Sequence, residues 1–466
     1  MVKKDAVILL RDVVNEKSYT DICLKDDIPV ICVNRQTGKE KSILFRLLYN
    51  NNKTFWEQNN QWEYFFLKED HAEVLKSISN ASRNLFPNMI FLTEQAKSEN
   101  DKPDTGLGDK YNAIAAMSET DKVLHLAECK NMLDKVISQK PRQKEIVTKA
   151  LVETTNNVIL HNHASLTNIL HLSDDEAKKS TQKLVDSTFE LVKTSTQLIS
   201  ENIFNDDLMN TLVAKSNGTI IQHMTRVYLN ALAFFTFYNN LISSSSIISK
   251  LRINFENKYK IFYSKLLPHI QHDKITLERV FLGGMRAISE TDFNNWATGF
   301  MVHDIGKAAA VEYHEGEAAY NRDVVMEHVK VGYDSLTHKT NYPLDAGLIT
   351  GYHHEYYGAQ DGYGYFRSSF DRQKKENLLT STPDYCIAFD TQSMIAFKAL
   401  GFFPAKLLEI IDVFDSITDP NRKYRKPMMT EEALAMMKEE FIIKEPKIDL
   451  ILFELFTYFI RKKLSS

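Results

Sequence analysis

Histidines and aspartates in the C-terminal part of the chain carry side chains that bind divalent metals. The candidate ligands are His223, His303, Asp304, His328, His353, His354 and Asp412. Neutral imidazoles and carboxylates suit hard or borderline divalent ions. His303 and Asp304 are adjacent within the segment 300–307, so they can bind one ion jointly, or Asp304 can bridge two. The pair alone is a weak signal, but the surrounding histidines and Asp412 make a metal site the prediction.

Two aspartates interrupt a mostly apolar segment, residues 407–418, that is expected to be a helix. They are Asp412 and Asp415. Because acidic side chains are rarely buried unless paired or bound to metal, each needs a partner. The sequence predicts that they are buried and paired, or that they hold a metal.

Other histidines have weaker claims. His161, His163 and His171 fall in a helical region without supporting carboxylate or cysteine spacing, which favours exposed or helix-end histidines over ligands. His71 is expected on the surface of a helix that Asp70 caps.

The region from about 206 to 466 resembles the HD-GYP family, the branch of the HD phosphohydrolase superfamily that cleaves cyclic di-GMP. The matching blocks occur in order and cover a little over half of the chain. They are His-x-x-Arg-Val at 223–227, His-Asp-Ile-Gly-Lys at 303–307, His-x-x-x-Gly-x-x-x-Leu at 328–336, His-His-Glu at 353–355 with Asp-Gly-Tyr-Gly-Tyr at 361–365, and the helix at 410–418. The segment 422–425 and the helix that begins at 431 resemble the blocks that follow in the family.

The resemblance implies two metal ions in one centre. His223, His303, Asp304 and Asp412 would hold one ion, and Asp304 would bridge to a second ion held by His328, His353 and His354. Nitrogen and oxygen ligands suit iron or manganese, and the absence of cysteine argues against a structural zinc site. The implied activity is a bacterial signalling phosphodiesterase that opens cyclic di-GMP to pGpG, with a further step to GMP left open.

Five further residues are expected at the substrate. Lys307, four residues after His303, is expected one helical turn further on, where it can face the scissile phosphate and act with Asp304 in catalysis. Arg422 and Arg425 suit bidentate recognition of a phosphate or a guanine, although a solvated basic segment explains them equally well. The resemblance places Tyr363 and Tyr365 in the substrate-binding loop.

The chain departs from the family pattern at several positions. Phe366 stands where Gly-Tyr-Pro normally ends, and residues 358–360 and 367–402 are insertions, as is a stretch before His303. These changes bear on substrate preference and on partners that read the loop. Thr219 stands where some members carry a glutamate that holds a third metal, so two ions are expected.

Composition limits the partners, the redox environment and the membrane association that can be expected of the protein. The chain has 466 residues and a net charge of −4, so no basic field suggests a nucleic-acid polymer as partner. The four scattered cysteines are typical of free thiols in a reducing cytoplasm. The most apolar stretch, 227–248, is broken by asparagines and serines, which favours a buried helix over a membrane span.

The elements that must position these residues are mainly helical. A small α+β regulatory domain is predicted at 1–96, with strands at 22–24, 28–33 and 62–67 and a helix at 43–49. A linker at 97–110 leads to a helical connector at 111–205, where Leu184, Leu191 and Leu198 recur at heptad spacing. An all-α helical bundle then follows at 206–466. A homodimer through the connector is a further expectation.

Three functional hypotheses remain open at this point. The first is the cyclic di-GMP phosphodiesterase, and the second is a catalytically weak receptor that binds the nucleotide or a partner protein. Such receptors usually lose metal ligands, whereas this chain keeps all seven. The third is an HD phosphohydrolase of another nucleotide, which the altered loop leaves open.

Overall fold

The computed structural model describes residues 7–9, 29–34, 40–45, 62–67, 113–139, 142–170, 172–201, 220–244, 246–308, 322–356, 363–365, 384–419 and 426–464. The chain divides into two compact units, Met1–Glu94 and Gln95–Ser466. The fold is mainly α, as predicted. The predicted connector at 111–205 lies in the same unit as 206–466.

The first unit contains an antiparallel sheet with strand order β1-β4-β2-β3. Its strands are β1 (Val7–Leu9), β2 (Pro29–Asn34), β3 (Glu40–Leu44) and β4 (Trp62–Leu67). The strand predicted at 62–67 is confirmed, and the one predicted at 28–33 is confirmed over its described residues, 29–33. The predicted helix at 43–49 is wrong at its start, because Ile43 lies in β3 and pairs with the buried Val30 of β2. Residues 22–24, Asp70 and His71 lie outside the described part of the chain.

The second unit is built from helices, joined by a small sheet. The helices before the metal-ligand blocks are α1 (Glu119–Ser138), α2 (Lys144–Ile169) and α3 (Asp174–Ser200). The next ones are α4 (Ile220–Ser244), α5 (Ile247–Asn254), α6 (Lys260–Leu266), α7 (Leu277–Val280), α8 (Glu290–Val302), α9 (Arg322–His338) and α10 (Leu344–Tyr352). The last are α11 (Thr391–Phe397), α12 (Phe403–Thr418), α13 (Thr430–Lys438) and α14 (Leu450–Leu464).

Local sequence explains where several of these helices begin. Ser118 and Ser289 accept hydrogen bonds from backbone N–H groups in the first turns of α1 and α8, and Ser173 forms a capping box with Glu176 at α3. Such caps satisfy N–H groups that have no partner within the helix. The predicted heptad stripe of α3 is buried, and both α2 and α3 pack against α4 and α8.

Helix α4 lies in the centre of this unit. Most of its residues are buried, and it packs against α2, α3, α8, α12 and α14. The ring of Phe235 contacts Phe293, Trp296 and Phe300 of α8 and Phe403 of α12, with centroids 4.8–6.3 Å apart. Each such aromatic pair adds about 0.5–1.5 kcal/mol beyond the area that it buries. This cluster fixes three of the helices that carry candidate ligands.

The predicted buried helix at 227–248 is therefore confirmed over most of its length, as α4 ends at Ser244 and α5 follows. Within the described ranges, no helix combines the length and the apolar character needed to cross a membrane.

The third region is not purely helical. Strands β5 (Asp384–Ala388) and β6 (Ala399–Phe402) form a parallel pair on either side of α11. Phe281, at the end of α7, forms a β-bridge with Ile387 of β5. Short buried apolar runs such as 386–388 can be strand or helix, and here the bridge partners decide for strand. The two insertions predicted from the sequence thus pack against each other.

Candidate metal centre

The candidate ligands come from five separate elements and are all buried. His223 lies on α4, His303 follows the last residue of α8, and His328 lies on α9. His353 and His354 follow α10, and Asp412 lies on α12. Asp304 comes directly after His303 and is fully buried. The structure brings these seven side chains to one place.

The carboxylate of Asp304 faces two groups of histidines, one with each oxygen. Its Oδ2 lies 3.5 Å from His223 Nε2 and 3.6 Å from His303 Nε2. Its Oδ1 lies 3.2 Å from His328 Nε2 and 3.5 Å from His353 Nε2. We call His223, His303 and Asp304 the His223 group, and Asp304, His328, His353 and His354 the His328 group. The potential ligand atoms within each group lie within 4.8 Å of one another.

Backbone carbonyls orient two of these imidazoles. His303 Nδ1 donates to the carbonyl of Phe300 at 2.9 Å, and His353 Nδ1 donates to the carbonyl of Thr350 at 2.7 Å. A neutral histidine that donates through Nδ1 keeps its lone pair on Nε2. Both Nε2 atoms therefore face Asp304 as potential metal ligands, an arrangement common around metal-bound histidines.

Several buried polar atoms of the centre have no hydrogen-bond partner. They are His223 Nε2, His303 Nε2, Asp304 Oδ1 and His354 Nδ1. A buried polar atom without a partner costs about 1–3 kcal/mol, so the convergence of four requires an explanation. A cation satisfies lone pairs that no N–H or O–H reaches. The donor set fits a divalent metal, and these buried His and Asp groups could hold such an ion.

Asp412 and Asp415 contact opposite sides of the same imidazole. Asp412 Oδ1 lies 2.8 Å from His223 Nε2, and His223 Nδ1 donates to Asp415 Oδ2 at 2.7 Å. Asp415 in turn accepts from Arg226 Nε at 2.7 Å. The prediction that these two acids are buried and paired is confirmed, and Asp412 lies beside the His223 group.

The sequence did not predict that Asp415 contacts His223 or that Arg226 contacts Asp415. The sequence indicated only that Asp415 needed a partner, and it showed Arg226 only as part of the His-x-x-Arg-Val block at 223–227. A signal was present, because residues three apart on a helix lie on one face, so Asp412 and Asp415 both had to face the ligand cluster.

Burial and charge set the protonation of the centre. Burial lowers the pKa of His303 to about 4, and it also lowers the pKa values of His328 and His354. Burial opposes ionisation of Asp304, but the charge of Lys307 and the neighbouring histidines outweigh it and hold its pKa well below the usual range. Neutral imidazoles around an ionised carboxylate are the forms that bind metal.

His223 differs from the other imidazoles. Burial acts to lower its pKa, but the adjacent carboxylates of Asp412 and Asp415 outweigh burial and raise the pKa. A proton therefore competes more strongly with a metal at His223 than at His303.

Lys307 lies at the edge of the centre. Its Nζ is 2.5 Å from Asp304 Oδ2, and its side chain is 20 % exposed. It was expected one helical turn beyond His303, but α8 ends at Val302 and Lys307 lies in a 3₁₀ turn, Ile305–Ala308. A cationic side chain that contacts both Asp304 and solvent can reach an anion that approaches the centre.

Close backbone packing explains the glycine that precedes Lys307. A Cβ at Gly306 would overlap the backbone carbonyl of His328 and the backbone nitrogen of Gly332 on α9. The contact brings the turn after Asp304 directly against the helix that carries His328.

Residues 363–365, which belong to the predicted substrate-binding loop, lie beside His354. The backbone N–H groups of Tyr363 and Gly364 donate to the carbonyl of His354 at 3.1 and 3.0 Å. The ring of Tyr363 lies 4.3 Å from the imidazole of His354, whereas Tyr365 packs 5.2 Å from the ring of Tyr333. Of the two predicted substrate tyrosines, Tyr363 is the one in contact with the ligand cluster.

Other predicted positions fall outside the described residues. These are Arg422, Arg425, Phe366, Thr219, His171 and residues 358–360.

The expectation that His161 and His163 are exposed or at a helix end is wrong. Both are buried inside α2, where His161 Nε2 lies 2.8 Å from His125 Nδ1 and His163 Nε2 lies 3.0 Å from Met224 Sδ. Burial lowers their pKa values to about 3 and about 4. Among the residues that the structure describes, neither belongs to a group with metal-binding geometry.

Comparisons with known proteins do not identify this centre. No family model, no curated protein and no solved structure matches the chain.

Proposed function

We propose that the chain is a metal-dependent phosphodiesterase that opens cyclic di-GMP to pGpG. The observation that carries the proposal is the position of Asp304, whose two oxygens face two histidine groups. A carboxylate in this position can serve two ions at once, as the resemblance to the HD-GYP family implies. Two divalent transition metals, iron or manganese, are part of the proposal.

The metals would supply a water activated for attack and a clamp on the phosphate oxygens. The chain's own residues do the remaining work. The Phe300 and Thr350 carbonyls hold His303 and His353 in the ligand orientation. Burial of the whole cluster excludes bulk water from the ligands, which strengthens every charge interaction in the centre.

Lys307 and Tyr363 are the described side chains best placed to meet the nucleotide. Lys307 is partly exposed beside Asp304, so its ammonium group can bind an oxygen of the phosphate. Tyr363 lies half-buried against His354 and offers an aromatic face to a base. Together with the ligand cluster they support a phosphodiester of a nucleotide as the substrate class.

Location and partners are part of the same proposal. The protein would act in the cytoplasm on a cyclic dinucleotide, without a nucleic-acid polymer as partner. A homodimer through α1–α3 stays a prediction, supported by the exposed apolar side chains of Leu124, Met132 and Ile146.

The decisive test is turnover by purified protein of known metal content. We expect cleavage of cyclic di-GMP to pGpG by protein loaded with iron or manganese, followed by chromatography of the products. A panel of cyclic and linear mononucleotides serves as the comparison, and His354→Gln as the matched inactive variant.

Two outcomes would contradict the proposal. Faster turnover of a mononucleotide than of cyclic di-GMP would favour an HD phosphohydrolase of another nucleotide. Binding of cyclic di-GMP without cleavage by metal-loaded protein would favour the receptor hypothesis.

A further inference from the structure

His223 is the one imidazole of the His223 group that a side chain, not a backbone carbonyl, orients. His303 donates through Nδ1 to a carbonyl of its own helix. His223 instead donates through Nδ1 to Asp415 Oδ2 at 2.7 Å, from α4 across to α12. Its orientation therefore depends on where α12 places that carboxylate.

The carboxylate of Asp415 is itself held from a second side. Arg226 lies one turn after His223 on α4 and grips Asp415 with two donors, Nε to Oδ1 at 2.7 Å and Nη2 to Oδ2 at 3.0 Å. Arg226 Nη2 also donates to Asp419 Oδ2 at 2.6 Å. Such a bidentate contact fixes the plane of the carboxylate as well as its position.

We propose that Asp415 is a positioning residue of the metal centre, which presents His223 Nε2 to the ion, and that Arg226 holds Asp415 in place. Asp412 and Asp415, three residues apart on α12, thereby have different tasks. Asp412 faces the ligand atom His223 Nε2, and Asp415 faces Nδ1 on the other side of the ring. The inference rests on the metal centre of the proposed function.

Chemistry on the opposite ring nitrogen affects metal binding directly. A carboxylate that accepts the Nδ1–H raises the basicity of Nε2 and restricts rotation of the ring. Loss of such a partner typically lowers metal affinity by about 10–100-fold. The loss should be confined to the His223 group, because Asp415 contacts no histidine of the His328 group in the described part of the chain.

The test is a titration of the full chain with Mn²⁺ alone, in competition with a chelator. Asp412→Asn and His354→Gln are reference variants that identify which binding step belongs to which group. In Asp415→Asn we expect affinity at the His223 group to fall by about 10–100-fold, with the His328 group unchanged. The unchanged step also shows that the variant is folded.

Asp449→Asn is the matched control. Asp449 is another fully buried aspartate of the same unit, and it accepts hydrogen bonds from Tyr263, Tyr385 and the N–H of Leu452. Its replacement should leave both Mn²⁺ affinities at their wild-type values.

Arg226 provides a second, independent variant. Arg226→Lys keeps the charge but loses the bidentate contact with Asp415. We therefore expect a smaller loss of Mn²⁺ affinity at the His223 group than in Asp415→Asn. In the double variant with Asp415→Asn, the lysine should add no further loss, because Arg226 acts through Asp415.

Three results would overturn the inference. They are unchanged Mn²⁺ affinity in Asp415→Asn, an equal loss at both groups, and additive losses in the double variant. Should Asp415→Asn fail to fold, a lack of selective loss in Arg226→Lys would overturn it in the same way. Since the titration contains no nucleotide, a failure to cleave cyclic di-GMP would refute the proposed function and leave these results untouched.

Discussion

Asp304 connects the two ligand groups, since each of its oxygens faces different imidazoles. Asp304→Asn keeps one oxygen but replaces the other with an amide nitrogen, which cannot ligate a cation. We therefore expect the variant to lose both ions and all turnover. Elemental analysis and turnover of the purified variant check this.

The control for Asp304→Asn should be an exposed histidine. His272→Ala serves, because this side chain is exposed in a 3₁₀ turn. His161→Ala is unsuitable, since His161 is buried against His125 and its loss would leave a cavity. Full metal content in Asp304→Asn would mean that the residue does not bridge.

A substitution at Lys307 tests the proposed phosphate contact separately from metal binding. Lys307→Met preserves much of the side-chain volume and removes the charge beside Asp304. By analogy with an oxyanion-hole donor, we expect turnover to fall by about 10²–10³-fold, or about 2.7–4 kcal/mol in transition-state stabilisation. Metal content, measured in parallel, should stay at the wild-type level. If the metals leave together with the activity, Lys307 supports the ligands and has no separate role at the phosphate.

At the scale of elements, the turn 305–308 and helix α9 share a tight backbone contact at Gly306. Gly306→Ala would force these two backbones apart, because the new methyl group meets a carbonyl that cannot rotate away. We expect a loss of about 1–3 kcal/mol in the free energy of unfolding, measured by urea denaturation.

Gly347→Ala is the comparison for this substitution. Its new methyl group would meet the Thr337 side chain at 2.5 Å, while alanine improves helix propensity within α10 by up to about 1 kcal/mol. The smaller loss is expected here. Equal losses in the two variants would show that the backbone contact at Gly306 has no special importance.

The sequence predicted elements well where one helix buries one regular stripe. The stripe of α3 and the apolar length of α4 are examples. The predictions failed where pairing with a distant segment determines the secondary structure. Ile43 pairs with Val30 in a sheet, and the short strand β5 pairs with β6 and with Phe281.

The candidate ligands were predictable for a related reason. Histidine and aspartate in apolar helices require partners, so their types and spacing were informative. Composition could not assign Asp412 and Asp415 to opposite sides of His223, because that depends on how α12 crosses α4. The burial of His161 and His163 likewise depends on helices that the local pattern does not contain.

At the scale of the whole molecule, Asp449 joins helix α6 and strand β5 to the last helix, α14. It accepts hydrogen bonds from Tyr263 of α6, Tyr385 of β5, and the N–H of Leu452 at the start of α14. Burial raises its pKa from 3.8 to about 6, because the hydrogen bonds only partly offset the loss of hydration.

This pKa predicts how stability depends on pH. Between pH 3.8 and about pH 6 the folded state binds more protons at Asp449 than the unfolded state, so stability falls as pH rises through this window. The loss is about 3 kcal/mol for a shift of this size. Asp449→Asn has no proton to lose, so its stability relative to wild type should rise by up to that amount from pH 4 to pH 7. Urea denaturation across this range is the measurement, and a difference that does not vary with pH would refute the assignment.

The spread of the candidate ligands along the chain has a consequence for how the protein matures. His223 and Asp412 are ligand candidates far apart in sequence that meet at one imidazole. An ion held there would act as a cross-link that closes long loops, much as a disulfide does. The complete set of candidate ligands can form only after α4, α8, α9, α10 and α12 have docked. Metal loading would then be a late step of folding, and mutations that loosen the docking of these helices would first weaken metal retention.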